Sequence, residues 1–96
     1  MPAYLIAEID VTDNAAYEGY RKLTPAAIAA YGGRFIVRGG EVETKEGGWA
    51  PARLVVVEFV SMEQARKFYD SPEYAPALAI RKAAARSRLV LVEGVA

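Results

Sequence analysis

The chain contains no cysteine and no histidine. Without cysteine there is neither a disulfide nor a thiol nucleophile. Zinc sites of the usual type need cysteine or histidine, so such sites are excluded as well. The absence of histidine also removes the usual general base near neutral pH, and serine-hydrolase chemistry with it. We therefore expect a protein that works with no metal and no organic cofactor.

Long apolar runs and an excess of charge of one sign are missing too. No segment approaches the roughly 20 apolar residues of a membrane-spanning helix, and the first residues lack a signal-like pattern. Twelve basic residues balance twelve acidic ones, which argues against a basic surface for nucleic acid. We expect one soluble, cytoplasmic domain over residues 1–96, with no nucleic-acid partner and no membrane partner.

The residue pattern predicts four strands and two helical regions. Runs of apolar, branched and aromatic residues predict strands over residues 3–11, 34–38, 53–60 and 88–95. Cap residues and helical spacing predict a first helix that starts within residues 12–14 and runs to about Tyr31, and Pro25 should break or kink it. Two further start signals predict helical segments over residues 62–70 and 72–86.

The predicted order β-α-β-β-α-β is the pattern of ferredoxin-like folds. It indicates an α+β domain in which both helical regions cover one face of a four-stranded antiparallel sheet. Residues 41–45 could extend the second strand, with a hairpin tip at residues 46–48. Within this sheet we expect strands one and three to be adjacent and parallel.

Three of the apolar strand runs each carry one glutamate, and an unpaired carboxylate is costly inside a sheet core. Side chains alternate across a strand, so the all-apolar set should face the helices and a mixed set should form the second face. The mixed set comprises Tyr4, Ile6, Glu8, Arg34, Ile36, Arg38, Leu54, Val56 and Glu58, joined by Leu91 and Glu93. Such a face is too apolar for solvent and too charged for a sealed core. We expect a second sheet to cover it and leave a polar pocket.

Glu8 and Glu58 are the candidate catalytic residues. If strands one and three are parallel, the two carboxylates lie close together near one end, and their repulsion raises one pKa. Arg34 would oppose Glu58 and relieve that repulsion. A glutamate with a raised pKa could accept a proton from a ligand. The alternative interpretation is that both are structural ion pairs or exposed strand ends.

Candidate ligand-binding residues are charged or lie at the break between the helical segments. Arg38, beside two glycines, could bind a carboxylate with two hydrogen bonds, or pair with an acid of either subunit. A helix N-terminus near the break offers N–H donors to an anion, although capping alone explains its residues. The full candidate set is Arg38, Arg34, Tyr69, Ser71, Tyr74 and Arg81. Trp49 is expected at a subunit interface, and Tyr17, Tyr20 and Tyr31 are expected in the core.

Several segments carry a family resemblance, in the order Gly-Gly-Arg-Phe-Ile-Val-Arg-Gly-Gly (32–40), residues 53–59, Tyr-Asp-Ser-Pro-Glu-Tyr (69–74), Arg81 and residues 91–94. Over nearly its whole length the chain resembles domain-of-unknown-function family 1330. The resemblance implies a ferredoxin-like fold in the dimeric α/β-barrel superfamily, where two protomers pack sheet against sheet. That superfamily includes cofactor-free oxygenases, isomerases, haem-degrading enzymes and ligand-binding sensors. Its histidine-dependent members are poor models for a chain without histidine.

Three functions remain open at this point. The first is a homodimer with a small-molecule pocket between or beside the sheets, which performs acid–base or oxygenase-type chemistry without a cofactor. The second is a homodimer that binds a ligand without turnover, and the third is a purely structural homodimer. A glutamate that titrates above its ordinary pKa would indicate a ligand pocket, whereas one below it would indicate a structural pair.

Overall fold

Seven elements follow one another in the computed structural model, which describes all residues from Met1 to Ala96. They are β1 (Ala3–Val11), α1 (Asn14–Ala30), β2 (Arg34–Arg38), β3 (Leu54–Phe59), α2 (Met62–Tyr69), α3 (Ala75–Ala84) and β4 (Ala85–Glu93). The strands form one sheet in the order β2-β3-β1-β4, and every neighbouring pair is antiparallel. The predicted α+β class and four-stranded antiparallel sheet are therefore confirmed. No helix combines the length and the apolar character that a membrane crossing needs.

The expected parallel pairing of β1 with β3 is wrong. Tyr4 lies opposite Glu58 and Glu8 lies opposite Leu54, so the two strands run in opposite directions. The connectivity explains this, because α1 returns the chain so that β2 runs in the direction of β1, and the reversal into β3 then inverts it. Glu8 and Glu58 consequently lie near opposite ends of the paired strands.

A β-bulge in β2 changes the face on which Arg38 lies. Phe35 pairs with Val57 and Val37 pairs with Val56, so Ile36 is an extra residue on this strand. A bulge of this kind interrupts the side-chain alternation. Arg38 therefore pairs with the buried Val55, and the prediction that it shares a face with Glu8 and Glu58 is wrong.

The register of β4 corrects the expected membership of the second face. Leu91 lies opposite the buried Leu5 and packs against the core, contrary to prediction. Val90 and Val92 instead lie opposite Ile6 and Tyr4. Glu93 lies opposite Ala3, which is fully buried, so its predicted place on the second face is also wrong.

The helix α1 runs without a break through Pro25. Asp13 caps it by accepting a hydrogen bond from the N–H of Ala16 at 3.0 Å, and Gly32, with φ of 73°, follows its end in the left-handed region. Because proline has no N–H, the Arg21 carbonyl lacks its usual helical donor. The helix continues in spite of this loss, so the predicted break is wrong.

The second helical region is divided as the sequence predicts, but its second part begins later. Ser61 caps α2 by accepting a hydrogen bond from the N–H of Gln64 at 3.1 Å. Residues 72–74 form a turn, and α3 begins at Ala75 rather than at residue 72. The buried Ser71 hydroxyl donates to the Phe68 carbonyl at 2.7 Å and accepts from the Tyr74 N–H at 3.1 Å.

The core lies between the helices and one face of the sheet. Aromatic rings form its centre, with centroids 5.2 Å apart for Phe59 and Phe68 and 4.4 Å apart for Phe68 and Tyr74. Large buried side chains of this kind contribute about 1.5–3 kcal/mol each to stability. The connection from β2 to β3, residues 39–53, contains no strand, so the expected extension over residues 41–45 is absent.

Candidate functional site

The sheet face turned away from the helices, which we call the open face, carries a cluster around Glu8. Arg88, directly across the strand pair, donates through Nε to Glu8 Oε1 at 2.6 Å. The Trp49 indole N–H donates to Oε2 at 2.7 Å. These two hydrogen bonds, that of Arg88 first, lower the pKa of Glu8 below its ordinary value. A lowered pKa is the signature expected of a structural pair.

A second cluster occupies the opposite end of the open face. Arg34 lies across from Glu58, as predicted, and its Nε donates to Oε1 at 2.8 Å. The Tyr4 hydroxyl donates to the other carboxylate oxygen at 3.3 Å. Each glutamate thus has its own arginine, and the structure does not bring the two carboxylates together into one acidic site.

The middle of the open face is apolar. Ile6 of β1 lies between Val56 of β3 and Val90 of β4. Val90 is 57% exposed and Val92 is 43% exposed. Large apolar side chains in a contiguous exposed group mark interaction surfaces.

On the other side of the sheet, a cavity lies between α1 and the strands, and we call it the helix-side cavity. Its wall is mostly apolar, with three tyrosines and three arginines among the lining residues: Leu5, Ala7, Ile9, Tyr17, Tyr20, Arg21, Thr24, Ile28, Phe35, Arg38, Arg53, Val55, Val57, Phe68 and Tyr74. The free space, open solvent at the mouth included, is about 430 Å³. Only about 20 Å³ is wide enough for the centre of a water molecule.

Two of the three arginines of this cavity have no acidic partner. Arg38 and Arg53 form no ion pair, whereas Arg21 pairs with Glu18 at 3.1 Å. The Arg38 guanidinium lies 4.3 Å from the centre of the Phe35 ring. Arg53 Nε is buried without a hydrogen-bond partner. The cavity is thus lined by positive charge that no side chain neutralises.

The guanidinium of Arg53 packs directly against the backbone of Gly39. This glycine has φ of 71°, and any β-carbon there would collide with the Arg53 side chain. The close approach explains why a glycine follows Arg38 at the end of β2. The bulge and this glycine together bring both unpaired arginines to the helix side.

Tyrosines form another part of the wall. The hydroxyl oxygens of Tyr20 and Tyr74 are 2.8 Å apart, and the Tyr17 ring stacks on that of Tyr20 with centroids 5.2 Å apart. Burial, followed by the neighbouring Tyr74, raises the pKa of Tyr20 above its ordinary value of 10.0. The Tyr20 phenol is therefore protonated at neutral pH.

Arg81 lies beside these tyrosines. It is only 5% exposed, and its guanidinium carbon is 5.9 Å from the centre of the Tyr20 ring. It forms no ion pair with any acid. Burial opposes its charge, but the oxygens of the surrounding tyrosines outweigh burial and raise the pKa of Arg81.

The model of the family described as "Domain of unknown function (DUF1330)" matches residues 2–95. The chain belongs to this family. Structures similar to this DUF1330 chain share its fold at low sequence identity, and no curated protein matches it.

Three of these structures show the range of relatives. A protein of unknown function from Rhodopseudomonas palustris is 17% identical, with a TM-score of 0.77 over 99% of this chain and 83% of that one. SnoaB, a cofactor-independent oxygenase from Streptomyces nogalater, is 16% identical, with a TM-score of 0.70 over 99% and 94%. A dimeric ferredoxin-like protein of unknown function from Bacteroides fragilis is 14% identical, with a TM-score of 0.63 over 97% and 96%. These likenesses confirm the ferredoxin-like fold of this DUF1330 chain.

The structure divides the sequence-predicted site residues between the two faces. Glu8, Glu58 and Arg34 lie on the open face. Arg38 lines the helix-side cavity with Tyr74. Arg81 lies behind the tyrosines, and the half-buried Tyr69 has its ring 5.9 Å from that of Tyr74. Ser71 is buried, with its hydroxyl bonded to backbone on both sides.

Three tyrosines and three arginines line the helix-side cavity, and the predicted site set contains only Tyr74 and Arg38 among them. The other four are Tyr17, Tyr20, Arg21 and Arg53. The helical spacing of the two tyrosines predicts core positions, and in the structure Tyr17 belongs to the core and Tyr20 packs against it. A signal for Arg21 is present, since it stands four residues after Tyr17 and three before Thr24, next to the buried side chains of α1, although Arg21 itself is exposed. No group of three or more acidic side chains that could hold a metal ion is present.

Proposed function

We propose that this DUF1330 protein is a homodimer that binds a small planar organic anion in the helix-side cavity. The observation that carries the proposal is the presence of Arg38 and Arg53, both without an acidic partner, in the wall of an apolar and aromatic cavity. A guanidinium is matched in shape and charge to a carboxylate. The apolar wall would hold the hydrocarbon part of the same ligand, as in most small-molecule sites.

Entry of such a ligand requires side chains at the mouth to move. Ligand pockets usually measure roughly 300–1,000 Å³, and the widest part of this cavity accepts about one water molecule. Arg38 is exposed and is held by the Phe35 face and by a long hydrogen bond of 3.5 Å to the Arg21 carbonyl. A cation–π contact at an exposed site is worth about 0.5–1 kcal/mol, so a carboxylate that pairs with Arg38 would offset its displacement.

The homodimer is supported by the open face. A second copy on this face would cover its apolar middle, while the two ion-pair clusters would lie toward the ends of the contact. The same face on both copies gives a two-fold, self-complementary interface. The relative from Bacteroides fragilis is described as dimeric. In this arrangement Glu8 and Glu58 hold structural ion pairs rather than acting as proton acceptors.

Oxygenation of the bound anion without a cofactor is the second candidate function. The cavity would keep an electron-rich aromatic ligand away from bulk water, and the protonated Tyr20 phenol lies in its wall. SnoaB, which shares the fold, is described as a cofactor-independent oxygenase. Oxygen uptake with small hydroquinones, measured with an oxygen electrode, separates turnover from binding alone.

The binding proposal is tested with pairs of ligands that differ in charge. Benzoate, salicylate and cinnamate are compared with their uncharged amides by calorimetric titration and by thermal unfolding, since a ligand that prefers the native state raises the melting temperature. We expect carboxylates to bind and the amides to bind more weakly. Arg38→Gln should weaken carboxylate binding about tenfold, the usual effect of losing a hydrogen bond to a charged group.

Arg66→Gln is the matched control, because Arg66 is an exposed arginine of α2 that neither lines the cavity nor forms an ion pair. It should bind the carboxylates like the wild type. Equal affinity for acids and amides, or an Arg38 variant that binds as well as the control, would overturn the proposal. Absence of binding by the whole panel would leave the purely structural homodimer.

A further inference from the structure

Arg53 is held on the helix side of the sheet by the backbone around it. The Ile9 N–H donates to the Arg53 carbonyl at 2.8 Å, and the Gly39 N–H donates to the neighbouring Leu54 carbonyl at 2.9 Å. Side chains alternate along a strand, so Arg53 lies on the same side as the buried Val55. Its guanidinium therefore reaches the helix-side cavity from a fixed point of the sheet.

One edge of the Arg53 guanidinium lacks a partner in the protein. A β-carbon at Gly39 would lie 2.8 Å from Arg53 Cζ and 3.3 Å from Nη2, and nearest of all to Nη1, so Nη1 is turned toward that backbone. Nε, on the other edge, is buried without a hydrogen-bond partner. Because buried donors in native proteins are paired almost without exception, we expect this edge to meet an acceptor that the chain itself does not supply.

The guanidinium of Arg38 contacts a different part of the protein. Its Cζ lies 4.3 Å from the centre of the Phe35 ring, and its Nη2 is 3.5 Å from the Arg21 carbonyl of α1. The Arg38 side chain is exposed and held by these two weak contacts, whereas Arg53 is half-buried and packed on backbone. The cavity thus has one fixed guanidinium on the sheet and one adjustable guanidinium near α1.

The charges that line the cavity do not balance. No aspartate or glutamate is among the lining residues, and Arg21 is the only one of the three arginines with an acidic partner. Two positive charges are therefore left without a negative one. A ligand that fills the cavity would exclude water from both guanidiniums, and a charge buried without a partner is strongly disfavoured. A ligand with a single negative charge would neutralise only one of them.

We propose that the ligand is a planar diacid, in which one carboxylate pairs with the fixed Arg53 and the other pairs with Arg38. Each guanidinium can hold a carboxylate through two parallel hydrogen bonds, and the aromatic and apolar wall holds the flat part between the two acids. Arg53 is then the residue that separates diacids from monoacids. This inference rests on the proposed function, since it specifies the ligand of the same cavity.

The probes are phthalate, isophthalate and terephthalate, each compared with its own monomethyl ester by calorimetric titration of the full chain at neutral pH. The three diacids place their carboxylates at different separations on the same ring, and each ester removes one charge with little change in shape. We expect at least one diacid to bind about tenfold or more tightly than its ester, the usual effect of a hydrogen bond to a charged group.

Arg53→Gln should abolish this preference, because only Arg38 then remains to pair with a carboxylate. Arg53→Lys keeps the charge without the planar fork and should retain part of the preference. Arg66→Gln, which removes an exposed arginine outside the cavity, should retain all of it. If Arg53→Gln does not fold, Arg38→Gln makes the same test at an exposed side chain, since it also leaves one guanidinium for the ligand.

The outcomes separate this inference from the proposed function. If no diacid binds better than its ester while Arg38→Gln still weakens benzoate binding, the assignment of two carboxylates is wrong and the cavity remains a site for a single acid. The same conclusion follows if phenyl phosphate, which carries its charge on one group, binds more tightly than every diacid. A preference for diacids that survives in Arg53→Gln would overturn the role of Arg53. If the wild type binds neither the diacids nor benzoate, this inference and the proposed function are both wrong.

Discussion

Arg38 Nη2 lies 3.5 Å from the carbonyl oxygen of Arg21, the carbonyl that Pro25 deprives of a helical partner. The proline therefore does more than weaken α1, because it leaves an acceptor free at the mouth of the helix-side cavity. The bulge at Ile36 turns the Arg38 side chain toward that acceptor. Two local irregularities of the backbone, one in a helix and one in a strand, thus meet at the proposed site.

Replacing this proline should stabilise the protein. Pro25→Ala restores the N–H that pairs with the Arg21 carbonyl and removes the ring's clash with it, so the free energy of unfolding should rise by about 1–3 kcal/mol. Urea unfolding measures the change. Pro76→Ala is the control, because Pro76 stands in the first turn of α3, where proline costs little, and an equal gain in both variants would contradict this explanation.

The ion pair of Glu8 predicts a pH dependence of stability. Because Arg88 and Trp49 lower the folded-state pKa of Glu8 below its ordinary value of 4.5, the carboxylate contributes stability above that value. The contribution is lost as the pH falls through the lowered folded-state pKa. The wild type should therefore lose more stability than Glu8→Gln when acidified from neutral pH, as measured by thermal unfolding across the acid range.

The control for that titration is Glu63→Gln, which removes a carboxylate from an exposed pair with Lys67 on α2. It should follow the wild type in its acid dependence. Parallel loss of stability in the wild type and in Glu8→Gln would show that the Glu8 pair is not formed in solution.

The packing of Gly33 predicts a large effect from one added methyl group. A β-carbon at this position would lie 2.6 Å from Phe59 Cε1 and 2.9 Å from Ile28 Cγ2. Gly33→Ala should lower the free energy of unfolding by about 1–3 kcal/mol through overpacking. In Gly40→Ala the new group meets nothing within 4 Å, and a change above about 0.5 kcal/mol there would contradict the comparison.

The open face predicts a charge-sensitive dimer. Val90→Lys places an ammonium group in the middle of the proposed interface, where a buried unpaired charge is strongly disfavoured. Light scattering should find dimers for the wild type at micromolar concentration and monomers for this variant. Val60→Lys changes an exposed valine just beyond the end of β3 and should remain dimeric, whereas a monomeric wild type would refute the interface.

Local signals in the sequence predict most of the fold. The capping side chains of Asp13 and Ser61, and the glycine that follows α1, lie within a few residues of the helix ends that they determine. Their effect can therefore be predicted from the sequence. The bulge at Ile36 is different, because no glycine or proline marks it and only the pairing with β3 reveals the extra residue. Because of that single residue, Arg38 lies on the face of the sheet opposite to the predicted one.

The candidate site was harder to predict than the fold. Glu8 and Glu58 were conspicuous because a charge in an apolar run is visible in sequence, yet the antiparallel pairing separates them. The helix-side cavity is built from residues that resemble ordinary core in sequence, and its central contact joins Tyr20 and Tyr74, 54 residues apart. Such a contact depends on the packing of α1 against the turn before α3, which local patterns do not encode.

The measurement that most directly tests where the ligand binds is a titration of the isotope-labelled protein with benzoate, followed by NMR. We expect the largest chemical-shift changes around the helix-side cavity, at Tyr17, Tyr20, Arg38 and Arg53. Changes concentrated instead at Glu8, Leu54 and Arg88 would place the ligand on the open face and contradict the proposed binding in the helix-side cavity.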